Sequence, residues 1–203
     1  MPQTSEDIHA RVVAAVGADG RLPMPPVGEW DIFPWEVVDG ELQPKVLAPP
    51  VEAEQPRHGE DGQDCSTCAS DERVIWRNER WKVTRGEAPS GLPLMLWLHP
   101  IEHLDGDDLD ENMAAEYGRL QVRLSRIMAG LTNIGRVHVC RWGDGGAHLH
   151  LWFIARPDRF PIILGSMAVE WDEMLPPGPE DVWRADWQEV ARKLATHEGD
   201  ATV

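Results

Sequence analysis

The segment Gly143-Asp144-Gly145-Gly146-Ala147-His148-Leu149-His150-Leu151-Trp152-Phe153 sets two imidazoles directly after a glycine-rich turn. A neutral imidazole is a nucleophile, a general base and a metal ligand. Glycines let backbone N–H groups come close to an anion. Apolar residues alternate with the histidines, so a strand over residues 147–155 puts His148, His150 and Trp152 on one face. Leu149, Leu151 and Phe153 then take the other. The chemistry this points to is displacement at phosphorus by a histidine nucleophile, with Asp144, Gly145, Gly146 and Trp152 around the substrate. A buried strand with two hydrogen-bonded histidines fits the same residues.

Two further groups of residues carry chemistry. Cys65-Ser66-Thr67-Cys68 has the spacing of a tetrahedral metal half-site or a redox pair. It follows an acidic, irregular stretch rather than a buried strand, which disfavours the redox pair. Zinc would need two more ligands, available from His99, His103, His138 or His148; a pair without a role also fits. Leu96-Trp97-Leu98-His99-Pro100-Ile101-Glu102-His103-Leu104 is an apolar strand running into a proline turn and a histidine before an acidic helix start. A plain strand–loop–helix junction would look the same. Cys140 stands alone in an apolar segment and reads as a small core residue.

The elements that must position these residues follow from periodicity. Residues 5–16 form a short helix, with Ser5 as its cap and Ile8, Val12, Val13 and Val16 at helical spacing. Residues 17–64 are rich in Pro, Gly and acid, with an apolar island at 30–38. They read as an irregular arm with one strand pair, ending in a flexible linker over 49–64. Strands are expected at 74–76, 80–84, 92–98 and 136–142. The longest helix runs over 107–130, where Leu109, Met113, Tyr117, Leu120, Leu124, Ile127 and Leu131 step by three and four. A last helix over 180–195 places Trp183, Trp187, Val190 and Leu194 on one face. The division is an N-terminal helix, arm and linker (1–64), a core domain (65–157) and a C-terminal extension (158–203).

Composition limits the function. Hydrophobic residues at 42% and charged residues at 27% suit a globular chain with a real core. A net charge of −16 argues against a nucleic-acid backbone as ligand, since that binding relies on clustered Lys and Arg. No apolar run approaches a membrane span, and the N-terminus lacks a signal-peptide pattern. Three cysteines make no disulfide framework, so the expected setting is the cytoplasm.

In this order the three groups resemble the histidine-triad superfamily. Cys65/Cys68, Pro100-Ile101-Glu102-His103 and His148-Leu149-His150-Leu151-Trp152 match its ordered motifs over residues 65–157. The resemblance implies an α+β fold: an antiparallel meander sheet with one long helix packed on it, in a homodimer. It also implies that His150 attacks the α-phosphorus of a nucleotide or nucleotide-sugar-like molecule, giving a nucleotidyl-histidine resolved by water or an acceptor phosphate. The galactose-1-phosphate uridylyltransferase branch implies zinc on Cys65, Cys68, His103 and His148. The departures are Trp152, where members carry a third His or Gln, and the lack of a clear ribose-holding acid, for which Glu87 is the candidate. Asp144 would donate a proton to the leaving group only with its pKa raised, as beside a bound phosphate. Beside this hydrolase or transferase stand two other readings: a non-catalytic nucleotide-binding or regulatory protein, and a zinc-stapled interaction module.

Overall fold

The computed structural model describes residues 3–24 and 32–202. Trp30 and Asp31 of the apolar island lie outside them. The chain forms two compact units, a small one within residues 24–56 and a large one from the rest. In the small unit β1 (Trp35–Val38) pairs antiparallel with β2 (Glu41–Pro44). Asp39 and Gly40 turn between them at φ 53° and 84°, the backbone a two-residue hairpin turn demands. This is the strand pair expected in the arm.

The large unit is α+β. It is built on α1 (Ser5–Ala15), α2 (Ser66–Ala69), α3 (Glu111–Ala129), α4 (Met167–Met174) and α5 (Glu180–Ala195). Its strands are β3 (Val74–Arg77), β4 (Trp81–Arg85), β5 (Leu94–Pro100), β6 (Ile134–Cys140), β7 (Leu151–Pro157) and the short β8 (Asp200–Ala201). All pairings are antiparallel, in the order β6-β7-β5-β4-β3-β8.

Alternation sorts the side chains to the two faces of the sheet. Trp81 and Val83, Leu94, Leu96 and Leu98, and Leu151, Phe153 and Ala155 form one core with Leu120 and Leu124 of α3 and Trp183, Trp187 and Val190 of α5. Burying a side chain such as Leu96 or Phe153 fully stabilises the fold by about 2–3 kcal/mol. On the opposite face Ile154 packs with Leu92, Ile163, Ala168 and Leu175, joined at the margin by Trp152, Phe160 and Trp171. Lys82, Thr84, Trp97 and His99 share that face further along, and there the functional residues gather.

Several boundaries shift from the sequence expectation. Thr4, not Ser5, caps α1, because Thr4 and Asp7 form a reciprocal capping box. Ser5 instead donates its hydroxyl to the Asp158 carbonyl at 3.1 Å. The long helix begins at Glu111 under an Asp110 cap, after a 3-10 turn over Gly106–Asp108. The stretch before α5 contains α4, and the chain end adds β8. β7 starts at Leu151, not 147, so His148 and His150 lie on a bent lead-in to the strand.

Candidate metal centre and adjoining groove

Cys65 opens α2, and its carbonyl accepts from the N–H groups of Cys68 and Ala69 at 3.1 and 3.0 Å. That tight turn brings both thiols to the same side. Lys82 of β4, only 5% exposed, clamps the turn from below. Its ammonium donates to the Thr67 carbonyl and the Asp71 carboxylate, each at 2.8 Å. His103 comes from the loop after β5 and His148 from the lead-in to β7. The ligand atoms of Cys65, Cys68, His103 and His148 all lie within 4.8 Å of one another.

The tautomer of His148 is fixed by its surroundings. Its Nε2 is 3.0 Å from the Pro100 carbonyl, which can only accept, so Nε2 carries the proton. Nδ1 then presents its lone pair to Cys65 Sγ at 3.4 Å and Cys68 Sγ at 3.3 Å. His103 Nδ1 is 3.5 Å from Cys68 Sγ. Two thiols and two imidazoles, one oriented by a backbone carbonyl, match the donor set and outer hydrogen bonding of a structural metal site. Burial and the neighbouring Cys65 thiol push the Cys68 thiol up against the pull of Lys82. Burial pulls His148 down and so favours the neutral ring a metal requires. Of the other two histidines that spacing had left open, His138 lies on β6 and His99 inside the sheet.

Beside this cluster runs a groove of about 190 Å³ whose walls include Ser66, Thr67, Arg73, Thr84, Trp97, His99 and His150. His150 Nδ1 donates to the His148 carbonyl at 2.8 Å. Because that carbonyl can only accept, the neutral ring has Nε2 bare and nucleophilic. His99 is 6% exposed and is held between the Leu149 carbonyl at 3.2 Å and the Thr84 hydroxyl at 2.9 Å. Burial first, then the neighbouring His148, pulls its pKa from 6.5 to about 3, so it is neutral.

The glycine turn is tied down by residues that the sequence placed in a flexible linker. His58 N–H donates to the Gly145 carbonyl at 2.9 Å, and Ala147 N–H to the His58 carbonyl at 3.0 Å. Arg57 reaches the Gly143 carbonyl at 3.3 Å and pairs with Asp105, which also takes Arg141 at 2.7 Å. Burial pushes the Asp105 carboxyl up, but the two guanidiniums and the Gly106 N–H outweigh it and hold it below its ordinary value. A Cβ on Gly106 would sit 2.8 Å from Arg141 Cζ, so glycine there is what lets Arg141 close in. From Arg57 onward the segment is therefore structure, not linker. Nothing in residues 49–64 announces this, because its partners are 48 and 86 residues away.

Gly143 and Gly145 differ from Gly106. Neither has a positive φ, and a Cβ at either would meet nothing within 4 Å. The fold itself does not require glycine at these two positions, which leaves the backbone open to a ligand. Asp144 projects from the same turn and is exposed.

Trp152 is not among the groove residues. Its ring meets Trp97 and Trp142 edge-on, with centroids 4.9 and 5.4 Å away, and lies 6.5 Å from the His150 ring; among the described residues its buried Nε1 has no partner. Trp97, from the facing position on β5, lines the groove instead. Glu87 is also absent from the groove; its side chain is 86% exposed, 3.7 Å from Arg73. Lys82 and Thr84 were missed by the sequence reading. The polar interruption of Trp81-Lys82-Val83-Thr84 was the available signal.

No family model matches the sequence, and no curated protein does. The structure is similar to solved histidine-triad proteins. One is a Zn-bound histidine triad family protein from Mycobacterium smegmatis, 18% identical, with 66% of this chain and 97% of that one covered and a TM-score of 0.48. Another is a hypothetical histidine triad nucleotide-binding protein from Sulfolobus tokodaii, 14% identical, covering 65% and 93%, TM-score 0.48. A uridylyltransferase is 20% identical, with 61% of this chain and 42% of that one covered and a TM-score of 0.37. Among the described residues no helix is long and apolar enough to cross a membrane.

Proposed function

We propose that this chain is a zinc-stapled enzyme that transfers or hydrolyses a nucleotidyl group through His150. The observation that carries the reading is the His150 Nδ1 bond to the His148 carbonyl, which leaves Nε2 free of a proton beside an open groove. Zinc bound by Cys65, Cys68, His103 and His148 would be structural, pinning α2 to the β5 loop and to the His148–His150 lead-in.

In the proposed reaction the Nε2 lone pair attacks phosphorus and forms a P–N bond. The bond to the leaving group breaks, and its electron pair departs on the leaving oxygen, which takes a proton from Asp144 or solvent. The imidazole keeps its Nδ1 proton and becomes cationic, and the His148 carbonyl stabilises that charge through a hydrogen bond already in place. Water or an acceptor phosphate then attacks phosphorus, and the P–N pair returns to Nε2. The open backbone at Gly143 and Gly145 supports contact with phosphate oxygens.

The test is incubation with α-³²P-labelled nucleoside triphosphates and dinucleoside polyphosphates. An acid-labile protein-bound label, absent from His150→Ala, is expected; folded protein that never labels rejects the reaction. One observation favours a second reading, a non-catalytic nucleotide-binding protein: Trp152 meets Trp97 and Trp142 edge-on and supplies no third polar group to the groove. Nucleotide binding without labelling would select it. The proposal extends to a homodimer, measurable by light scattering.

A further inference from the structure

The geometry points to the Thr84–His99 pair as the element that selects a hydroxyl-bearing ligand, with the Thr84 oxygen accepting a hydrogen bond from that hydroxyl. This rests on the reading of the groove as a nucleotide site.

The direction of each hydrogen bond follows from its partner. The Leu149 carbonyl can only accept, so the nitrogen facing it, His99 Nδ1, carries the proton. The ring is only 6% exposed and its two partners are a carbonyl and a hydroxyl, with no carboxylate to hold a second proton, so His99 Nε2 is a bare acceptor. The group 2.9 Å from it is the Thr84 hydroxyl, whose single proton must therefore point at His99. The oxygen that Thr84 offers to the groove has only lone pairs left, and a ligand must bring the donor.

Ser66, Thr67 and Ser70 also bring hydroxyls to the groove, but Thr84 is set apart by a buried ring that holds the threonine proton and fixes the oxygen as an acceptor. No carboxylate is among the residues that line the groove. Glu87, the acid nearest in sequence, points to solvent beside Arg73. Thr84 faces the same side of the sheet as Trp97, its partner across the β4–β5 pair. A flat ring against Trp97 and a sugar hydroxyl on Thr84 are thus neighbouring contacts. The pair also couples recognition to chemistry, since the carbonyl that orients His99 belongs to Leu149, between His148 and His150.

The experiment measures calorimetric binding of the 5′-monophosphates of adenosine, guanosine, uridine and cytidine, each with its 2′-deoxy and 3′-deoxy analogue. For the monophosphate that binds best, one deoxy analogue should bind about 3- to 10-fold more weakly, the effect of one hydrogen bond. Thr84→Val should erase that difference and Thr84→Ser should keep it. Equal binding of the ribo and deoxy forms, or a difference that survives in Thr84→Val, overturns the inference and leaves the nucleotide reading standing. Absence of binding by every monophosphate overturns both. Nitrogen-15 NMR of His99 supplies a ligand-free check: a proton on Nδ1 is expected, and a proton on Nε2 refutes the assigned polarity.

Discussion

His148 and His150 stand two residues apart and use their Nδ1 atoms in opposite ways. His148 turns a bare Nδ1 toward Cys65 and Cys68 because its Nε2 proton is held by the Pro100 carbonyl. His150 spends its Nδ1 proton on the carbonyl of His148, which leaves Nε2 bare. The candidate ligand thus also orients the proposed nucleophile, through its own main chain. His150→Ala should abolish covalent labelling while metal content and melting temperature stay near wild type. His148→Ala should lose metal and stability together. Metal analysis and differential scanning calorimetry on both variants separate the two roles.

Metal removal should destabilise the whole large unit. The four candidate ligands come from the start of α2, the loop after β5 and the lead-in to β7, which are distant in sequence. Metal binding to such a set contributes to folding free energy directly. Chelation, or Cys68→Ser, should lower the melting temperature by roughly 10 °C, as loss of a few kcal/mol does in a domain of this size. An unchanged melting curve after verified metal loss would contradict it.

His99 should make the fold acid-sensitive. Its folded pKa of about 3 lies below its ordinary 6.5, so the native state holds fewer protons than the unfolded chain between those values. The stabilisation is therefore fully present above about pH 6.5 and is lost as pH falls through about 3, amounting to at most about 5 kcal/mol. Urea unfolding at pH 7, 5 and 4 should show a smaller loss for His99→Gln than for wild type. Parallel losses would argue against it.

Gly145→Ala should leave the fold intact, within about 0.5 kcal/mol, because the added methyl meets open space at an ordinary φ. The same methyl would crowd a phosphate lying against the turn. Nucleotide affinity should fall severalfold with no change in denaturation midpoint; unchanged affinity would place the phosphate elsewhere.

Trp97, not Trp152, should report ligand binding. Trp97 lines the groove, whereas Trp152 is wedged between Trp97 and Trp142. Fluorescence quenching by a nucleotide should disappear in Trp97→Phe and persist in Trp152→Phe. The reverse result would mean that the Trp152 indole reaches the ligand.

The sequence alone determined the strongly periodic elements. The three-and-four spacing from Met113 to Leu131 and the Trp183, Trp187, Val190, Leu194 face each bury the side chains they imply, because helical burial follows local order in the chain. The Cys65/Cys68 pair was legible as a candidate half-site, and the family resemblance pointed to His103 and His148 as its partners, which the structure brings within 4.8 Å. What only the tertiary structure decided are the contacts between segments with no shared periodicity. Arg57 finding Asp105 and the glycine turn, Lys82 lying under the Cys-x-x-Cys turn, and Trp97 lining the groove are of this kind. So is the choice among His99, His103, His138 and His148 on geometry. A strand's alternation says which side chains share a face. It does not say which stretch of that face is covered by Leu92, Ile163 and Leu175 and which is left open beside His150. That was settled by where the connections from β4 to β5 and from β7 to α5 cross the sheet, a matter of packing that no local pattern encodes.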